Sequence, residues 1–190
     1  MDDTAVDKRK MRAAGVHEAG HAIAAALHGG IVRRAEVLRS GRTITASGVT
    51  AAVAGYTRYK SEVPNSSASA LVAAAGTAAE AMFWHGTRPT AAQLDVLLRK
   101  NTHDLAVLRP HAYRADRPLL DAVFDAMPLV RRCWGPIVNL ALELEQGNAI
   151  QHRDVLAALG IPAADETEAY AAAIRGGQTP GTFALTAAAG

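Results

Sequence analysis

The chain has 190 residues and a formal net charge of +2, long enough for one domain with a proper core and too weakly basic to argue for nucleic acid. Apolar residues make up 49% and aromatic residues 5%, and much of the apolar share is alanine, a composition that favours helices packed closely through small side chains. Cys133 is the only cysteine, which excludes an intramolecular disulfide and a thiolate zinc cluster; beside Trp134 it reads as a packed hydrophobe.

Residues 5–28 are predicted to form one amphipathic helix. Met11, Ala14, Ile23 and Leu27 recur at helical spacing with Val16 among them, and Asp7, Lys8, Arg9, Lys10 and Arg12 keep the first half solvated. Gly29-Gly30 stops it. Ile31–Leu38 and Thr43–Val53 are β candidates joined by a turn at Ser40-Gly41-Arg42, most economically a hairpin, with Gly48 as a bulge or close-approach point. Residues 55–67 are polar and read as a loop ending in Pro64-Asn65-Ser66-Ser67. A helix follows from Ala68 to Trp84; its embedded Gly76 implies close packing, plausibly against the first helix.

Thr90 is placed to cap a helix through Lys100, and Thr102 to cap another that begins at His103. Pro110 and Pro118 bracket a loop or broken helix. Residues 119–146 are helical with interruptions at Pro128 and Gly135-Pro136, and Gly147-Asn148 stops them. His152–Leu159 is a short closing helix. The expected organisation is a mainly α domain over residues 1–160 with a small β-hairpin, then an Ala/Gly-rich tail over 161–190, flexible from 176. The N-terminal Met1-Asp2-Asp3-Thr4 is unlike a signal peptide, and Leu71–Trp84 is too short to span a bilayer and carries Glu80. A cytoplasmic protein without a membrane or nucleic-acid partner is expected. Arg33, Arg34, Arg39, Arg42, Arg131 and Arg132 are scattered, with no aromatic platform among them, and read as solvated surface.

The chemistry lies in His17-Glu18-Ala19-Gly20-His21, an H-E-x-x-H pattern inside the first helix. Residues four apart share a helical face, so His17 and His21 can both address one Zn²⁺, while Glu18 at the edge of that face can reach a metal-bound water without ligating the metal. A catalytic zinc needs a third protein ligand and an open position. The candidates are Glu80, His85, Asp95, His103, Asp104 and His111; position 27, where a nearby third histidine would fall in some zinc peptidases, is Leu27. Asp95 lies four before Arg99, the spacing of a surface ion pair. Asp104 is expected in the first turn of a helix, where the macrodipole favours an acid but where a side chain also projects from a fixed point, and His103 competes with it. Glu80, in an apolar helix, is either a group that orients a ligand histidine or a bland acid, solvent-facing or half of a structural ion pair.

The segment His17-Glu18-Ala19-Gly20-His21-Ala22 resembles the peptidase domain of FtsH-type zinc metalloproteases. The similarity continues through Gly48-Val49-Thr50, then Ala75-Gly76-Thr77-Ala78-Ala79-Glu80, and in Trp134-Gly135-Pro136-Ile137 through Gly147 and Asp154-Val155-Leu156. It covers about residues 11–160. It implies a helical zincin-like fold and Asp104 as third ligand beside His17 and His21, although Asp95 would suit the family's spacing from Glu80 better. No G-x-x-x-x-G-K-[ST] pattern occurs, so the resemblance is to a stand-alone peptidase domain, with a homo-oligomer or a separate unfoldase as the partners it suggests. The expected function is zinc-dependent hydrolysis of peptide bonds in unfolded or small proteins, with Glu18 as general base. The alternative is a non-catalytic zinc-binding adaptor, against which the intact Glu18 argues.

Overall fold

A computed structural model describes residues 3–38, 42–44, 50–52, 55–63 and 66–185. It is mainly helical. In chain order it runs α1 (Asp3–Leu27), β1 (Ile31–Val37), β2 (Arg42–Ile44), β3 (Thr50–Ala52), β4 (Gly55–Ser61), α2 (Ser66–His85), α3 (Ala91–Lys100), α4 (Thr102–Ala115), α5 (Asp121–Arg132), α6 (Trp134–Glu145), α7 (His152–Ala158), a 3-10 turn (Ala164–Glu166) and α8 (Thr167–Arg175). None of the described helices is long and apolar enough to cross a membrane.

The core is organised around α1. Lys8, Arg9, Lys10 and Arg12 are exposed, as their charges require, but from Ala19 to Leu27 every residue is buried. The amphipathic expectation therefore holds only for the N-terminal half. A helix enclosed on all sides needs no polar face, and the run Ala22-Ile23-Ala24-Ala25-Ala26-Leu27 supplies none. The helices α2 and α6, the strand β1 and the helix α8 all pack on it. Gly29, at φ 83°, turns the chain out of α1 in the left-handed conformation that glycine adopts freely.

Close packing replaces bulk at the α1–α2 interface. A Cβ on Gly20 would sit 2.8 Å from the Ala75 carbonyl oxygen and 2.9 Å from the Ala79 Cβ. One on Gly15 would sit 2.9 Å from the Ala141 carbonyl oxygen of α6. Two glycines of α1 thus let neighbouring backbones approach to a distance that alanine forbids.

The β structure departs from the expected hairpin. The strand β1 pairs antiparallel with β4, in the register Arg34↔Arg58, Ala35↔Thr57 and Glu36↔Tyr56. The described parts of Thr43–Val53 pair with each other as a separate ribbon, Arg42↔Ala52 to Ile44↔Thr50; the turn residues Ser40 and Gly41, the bulge candidate Gly48 and the loop residues Pro64 and Asn65 lie outside the described residues. Residues 55–61 looked like a loop because only Thr57 and Tyr59 face inward between exposed Arg58 and Lys60. A strand this polar shows no alternation of hydrophobic residues to read.

The helices α3 and α7 lie where expected, but the break expected between Pro110 and Pro118 comes only after Ala115, the interruption expected at Pro128 and Gly135-Pro136 falls instead at Cys133, between α5 and α6, and α8 lies in the stretch expected to be an Ala/Gly-rich tail. Thr90 caps α3 in a capping box with Gln93. Pro110 lies inside a continuous α4 and Pro128 inside α5. The chain beyond Gly160 buries Ile161, Tyr170, Ala171 and Ile174, and α8 packs on α1, with Arg175 donating to the Leu27 carbonyl and Arg132 to the Ile174 carbonyl at 2.6 Å. Cys133 is fully buried, and burial pushes its thiol up to about 12, so it packs rather than reacts.

Replacing an exposed helical glycine by alanine stabilises by up to ~1 kcal/mol. Gly135→Ala, with open space around its Cβ, is expected to raise the melting temperature slightly. Gly20→Ala should instead lower stability by about 1–3 kcal/mol, because overpacking against the α2 backbone outweighs the helical gain. Thermal denaturation of the two variants checks the opposite signs.

Candidate metal centre

Three elements bring the centre together. The helix α1 presents His17 and His21 one turn apart, with Nε2 atoms 2.9 Å from each other and rings nearly perpendicular at 87°. The first turn of α4 contributes Asp104, whose Oδ1 lies 3.2 Å from His21 Nε2 and whose Oδ2 lies 3.4 Å from His17 Nε2. Metal-competent atoms of these three residues all lie within 4.8 Å of one another. The helix α2 forms the wall behind them.

That wall sets the orientation of each side chain. His21 Nδ1 lies 2.8 Å from the Val72 carbonyl oxygen. A carbonyl only accepts, so Nδ1 carries the proton and Nε2 faces Asp104 and His17. The His21 ring lies directly over Gly76, where a Cβ would stand 2.4 Å from Cε1 and Nε2. The close packing expected of Gly76 thus serves the imidazole itself. Thr77 donates to Asp104 Oδ2 at 3.1 Å.

Glu80 is buried at 5% exposure, and its Oε2 lies 3.4 Å from His17 Nδ1, the geometry of a group that orients this histidine. Asn101 donates to Glu80 Oε2 at 3.0 Å and Lys100 to Oε1 at 3.3 Å. Burial raises the Glu80 carboxyl, but hydrogen bonds from His17 and Asn101 and the charges of His17 and Lys100 outweigh it and hold the group at about 2. It is a carboxylate at any physiological pH.

Asn101 was not singled out in the sequence. It occupies the N-cap position of α4, yet its side chain makes no cap; it reaches Glu80, Thr77 and the His17 ring instead. Thr102, expected to be the cap, is the first residue of the helix. The one available signal was the Asn itself, at the junction of two helices.

Glu18 falls outside the metal-competent set. It is buried at 6% exposure, and its Oε2 accepts a hydrogen bond of 2.7 Å from Thr57 on β4. Gly55 leaves the room: a Cβ there would stand 2.8 Å from Glu18 Cγ. Tyr59, two residues along the same face of β4, feels Glu18 and Asp104 together; burial first, and then these charges, push its phenol above the usual range. Neither Thr57 nor Tyr59 was legible as a site residue while residues 55–67 read as a loop.

The other candidates lie elsewhere. Asp95 is half-buried and bonded to Arg99 at 2.7 Å, the ion pair its spacing predicts. His85 and His103 are exposed. His111 lines a small groove with Arg117 and Asp121, between α2, α4 and α5.

The donor set suits Zn²⁺: two imidazole nitrogens of fixed tautomer and one carboxylate oxygen. Nitrogens sharing a tetrahedral zinc stand about 3.3 Å apart, close to the 2.9 Å separation of His17 and His21. Without a metal, that short contact needs a proton between the rings. Burial opposes a charged His21, but the charge of and hydrogen bond to Asp104, with Glu18 and the Val72 carbonyl, raise it to about 9. No protein-family model matches this chain, and neither a curated protein nor a solved structure is detectably similar to it.

Two measurements follow from this geometry. Elemental analysis should find one zinc per chain in the wild type and in Asp95→Asn, none in Asp104→Asn, and affinity about 10–100-fold weaker in Glu80→Gln. A histidine raised from 6.5 to about 9 stabilises the metal-free fold fully below pH 6.5 and loses that contribution as pH rises through 9. Zinc displaces this proton, so titration calorimetry in buffers of different ionisation enthalpy should record release of about one proton per zinc at pH 7, vanishing above pH 9.

Proposed function

We propose that this chain is a zinc-dependent metallopeptidase that hydrolyses peptide bonds in unfolded or small protein substrates. The observation that carries the reading is the placement of Glu18. It lies in the H-E-x-x-H turn, outside the three-residue metal-competent set, with its carboxylate held by Thr57. A purely structural metal site has no use for such an acid, and structural zinc usually fills all four positions with protein ligands.

In this reading His17, His21 and Asp104 hold the ion. When bound, zinc supplies Lewis acidity, polarising an amide carbonyl and acidifying water. Glu18 accepts a proton from the attacking water and delivers it to the departing amine nitrogen. Thr57 holds the Glu18 carboxylate through its hydrogen bond, and Glu80 and Asn101 hold the His17 ring. Val72 and Gly76 fix the plane of His21. The resemblance of residues 11–160 to FtsH-type peptidase domains supports the same assignment.

The test separates binding from chemistry. Glu18→Gln should retain one zinc per chain while peptide cleavage falls about 10²–10⁴-fold, the usual worth of a positioned general base. A chelator should abolish wild-type cleavage and added zinc restore it. Zinc retained in both proteins with no cleavage of any unfolded substrate by the wild type would favour the adaptor reading.

A further inference from the structure

The β1–β4 ribbon has two unlike faces. Thr57 on the inner face reaches Glu18. The outer face is basic. Arg34 and Arg58 are cross-strand partners, so two guanidinium groups share one face, an arrangement that destabilises a ribbon unless something offsets it. Glu36 takes Arg34 at 2.6 Å, and the Tyr56 ring takes Arg58, whose Cζ lies 4.9 Å from the centroid.

The register adds to this charge. It shifts between Ile31 and Val32 and again between Val32 and Arg34. These irregularities leave Lys60 of β4 and Arg33 of β1 without a cross-strand partner. Both are exposed, and neither has an acidic partner among the described residues. Bulges re-aim side chains, and here each extra residue is a cation. With His152 and Arg153 of α7, these residues line a groove of about 520 Å³; no carboxylate is among the lining side chains, and Arg34 and Arg153 are paired outside it with Glu36 and Asp154. Arginines that read as scattered along the sequence are gathered by the fold.

We propose that this groove binds an acidic peptide segment, so that the chain selects unfolded polypeptides carrying clustered Asp and Glu. The substrate class rests on the peptidase reading above; the binding site does not. Charge complementarity favours an anion. The lining has no Phe, Tyr or Trp on which successive bases would stack, which favours a peptide over a single-stranded nucleic acid. The same two strands carry the groove on one face and the Thr57–Glu18 contact on the other, so a segment held there is tethered beside the candidate centre.

The experiment uses the full zinc-loaded chain. Fluorescence anisotropy compares a labelled twelve-residue Glu-rich peptide, its Gln analogue and a single-stranded oligonucleotide of equal charge, on Glu18→Gln protein so that nothing is cut. The Glu-rich peptide should bind at least about tenfold tighter than the Gln analogue and weaken with salt. Adding Arg58→Glu and Lys60→Glu should remove that preference. Arg33→Gln with Lys60→Gln, milder at exposed positions, tests the same point if charge reversal disturbs folding. On protein with native Glu18, an acidic tag on a neutral substrate should lower KM with kcat unchanged, and the charge-reversed groove should lose this effect but still cleave the untagged substrate. Equal binding of Glu and Gln peptides, or no response to either pair of substitutions, would overturn the proposal. So would an oligonucleotide that binds more tightly than the Glu-rich peptide and weakens equally on charge reversal. Acidic-peptide binding without cleavage of any substrate would remove the peptidase reading and leave the groove standing.

Discussion

Everything at the candidate centre depends on how closely α2 approaches α1. Gly20 admits the backbone of α2 at Ala75, and Gly76 admits the His21 ring. Only at that distance does the Val72 carbonyl reach His21 Nδ1 at 2.8 Å. Val72, Gly76 and Glu80 succeed one another at four-residue intervals, so they form one stripe along α2. The stripe accepts the proton of one histidine, makes room for its ring and orients the other histidine. Thr77, beside it, donates to Asp104. One helix face therefore orients three side chains that arrive from two other helices.

The electrostatics of this arrangement are costly without a cation. Glu18, Glu80 and Asp104 are all buried, and buried charges are tolerated only when paired and hydrogen-bonded. Glu80 has His17, Asn101 and Lys100, and it is depressed to about 2 in spite of its burial. Asp104 is held below the usual carboxylate range although burial raises it, because the charge of His21, its hydrogen bond and Thr77 outweigh that cost. A divalent ion bound between His17, His21 and Asp104 would supply the positive charge that a proton on His21 otherwise provides. Metal affinity and fold stability are then linked through the same atoms.

The ribbon extends the argument from one site to two surfaces. Strand alternation sends Thr57 and Tyr59 toward α1, and Tyr56 and Arg58 to the outer face. Register shifts add Arg33 and Lys60 to the exposed charge. A short, polar pair of strands thus carries both the contact to the Glu18 carboxylate and residues of a basic groove.

What the sequence determined by itself is local. The i,i+4 spacing of His17 and His21, the ion pair of Asp95 with Arg99, the Thr90 cap and the tight packing at Gly76 follow from helical periodicity, which acts over a single turn. That Glu80 needs a partner was legible too, because a lone acid in an apolar helix is costly; that His17 is among its partners was not. Nor was the acid that completes the triad. Asp95 lies within α3 and Asp104 in the first turn of α4, and only the tertiary path of the two helices pairs the first with Arg99 at the surface and brings the second onto α1. Asn101, Thr57 and the pairing of β1 with β4 were likewise decided by contacts between residues far apart in the chain. Polar side chains carry no periodic signature of the surface they will meet. The same is true of the arginines: their spacing in sequence suggests dispersal, and the register of two strands brings them together.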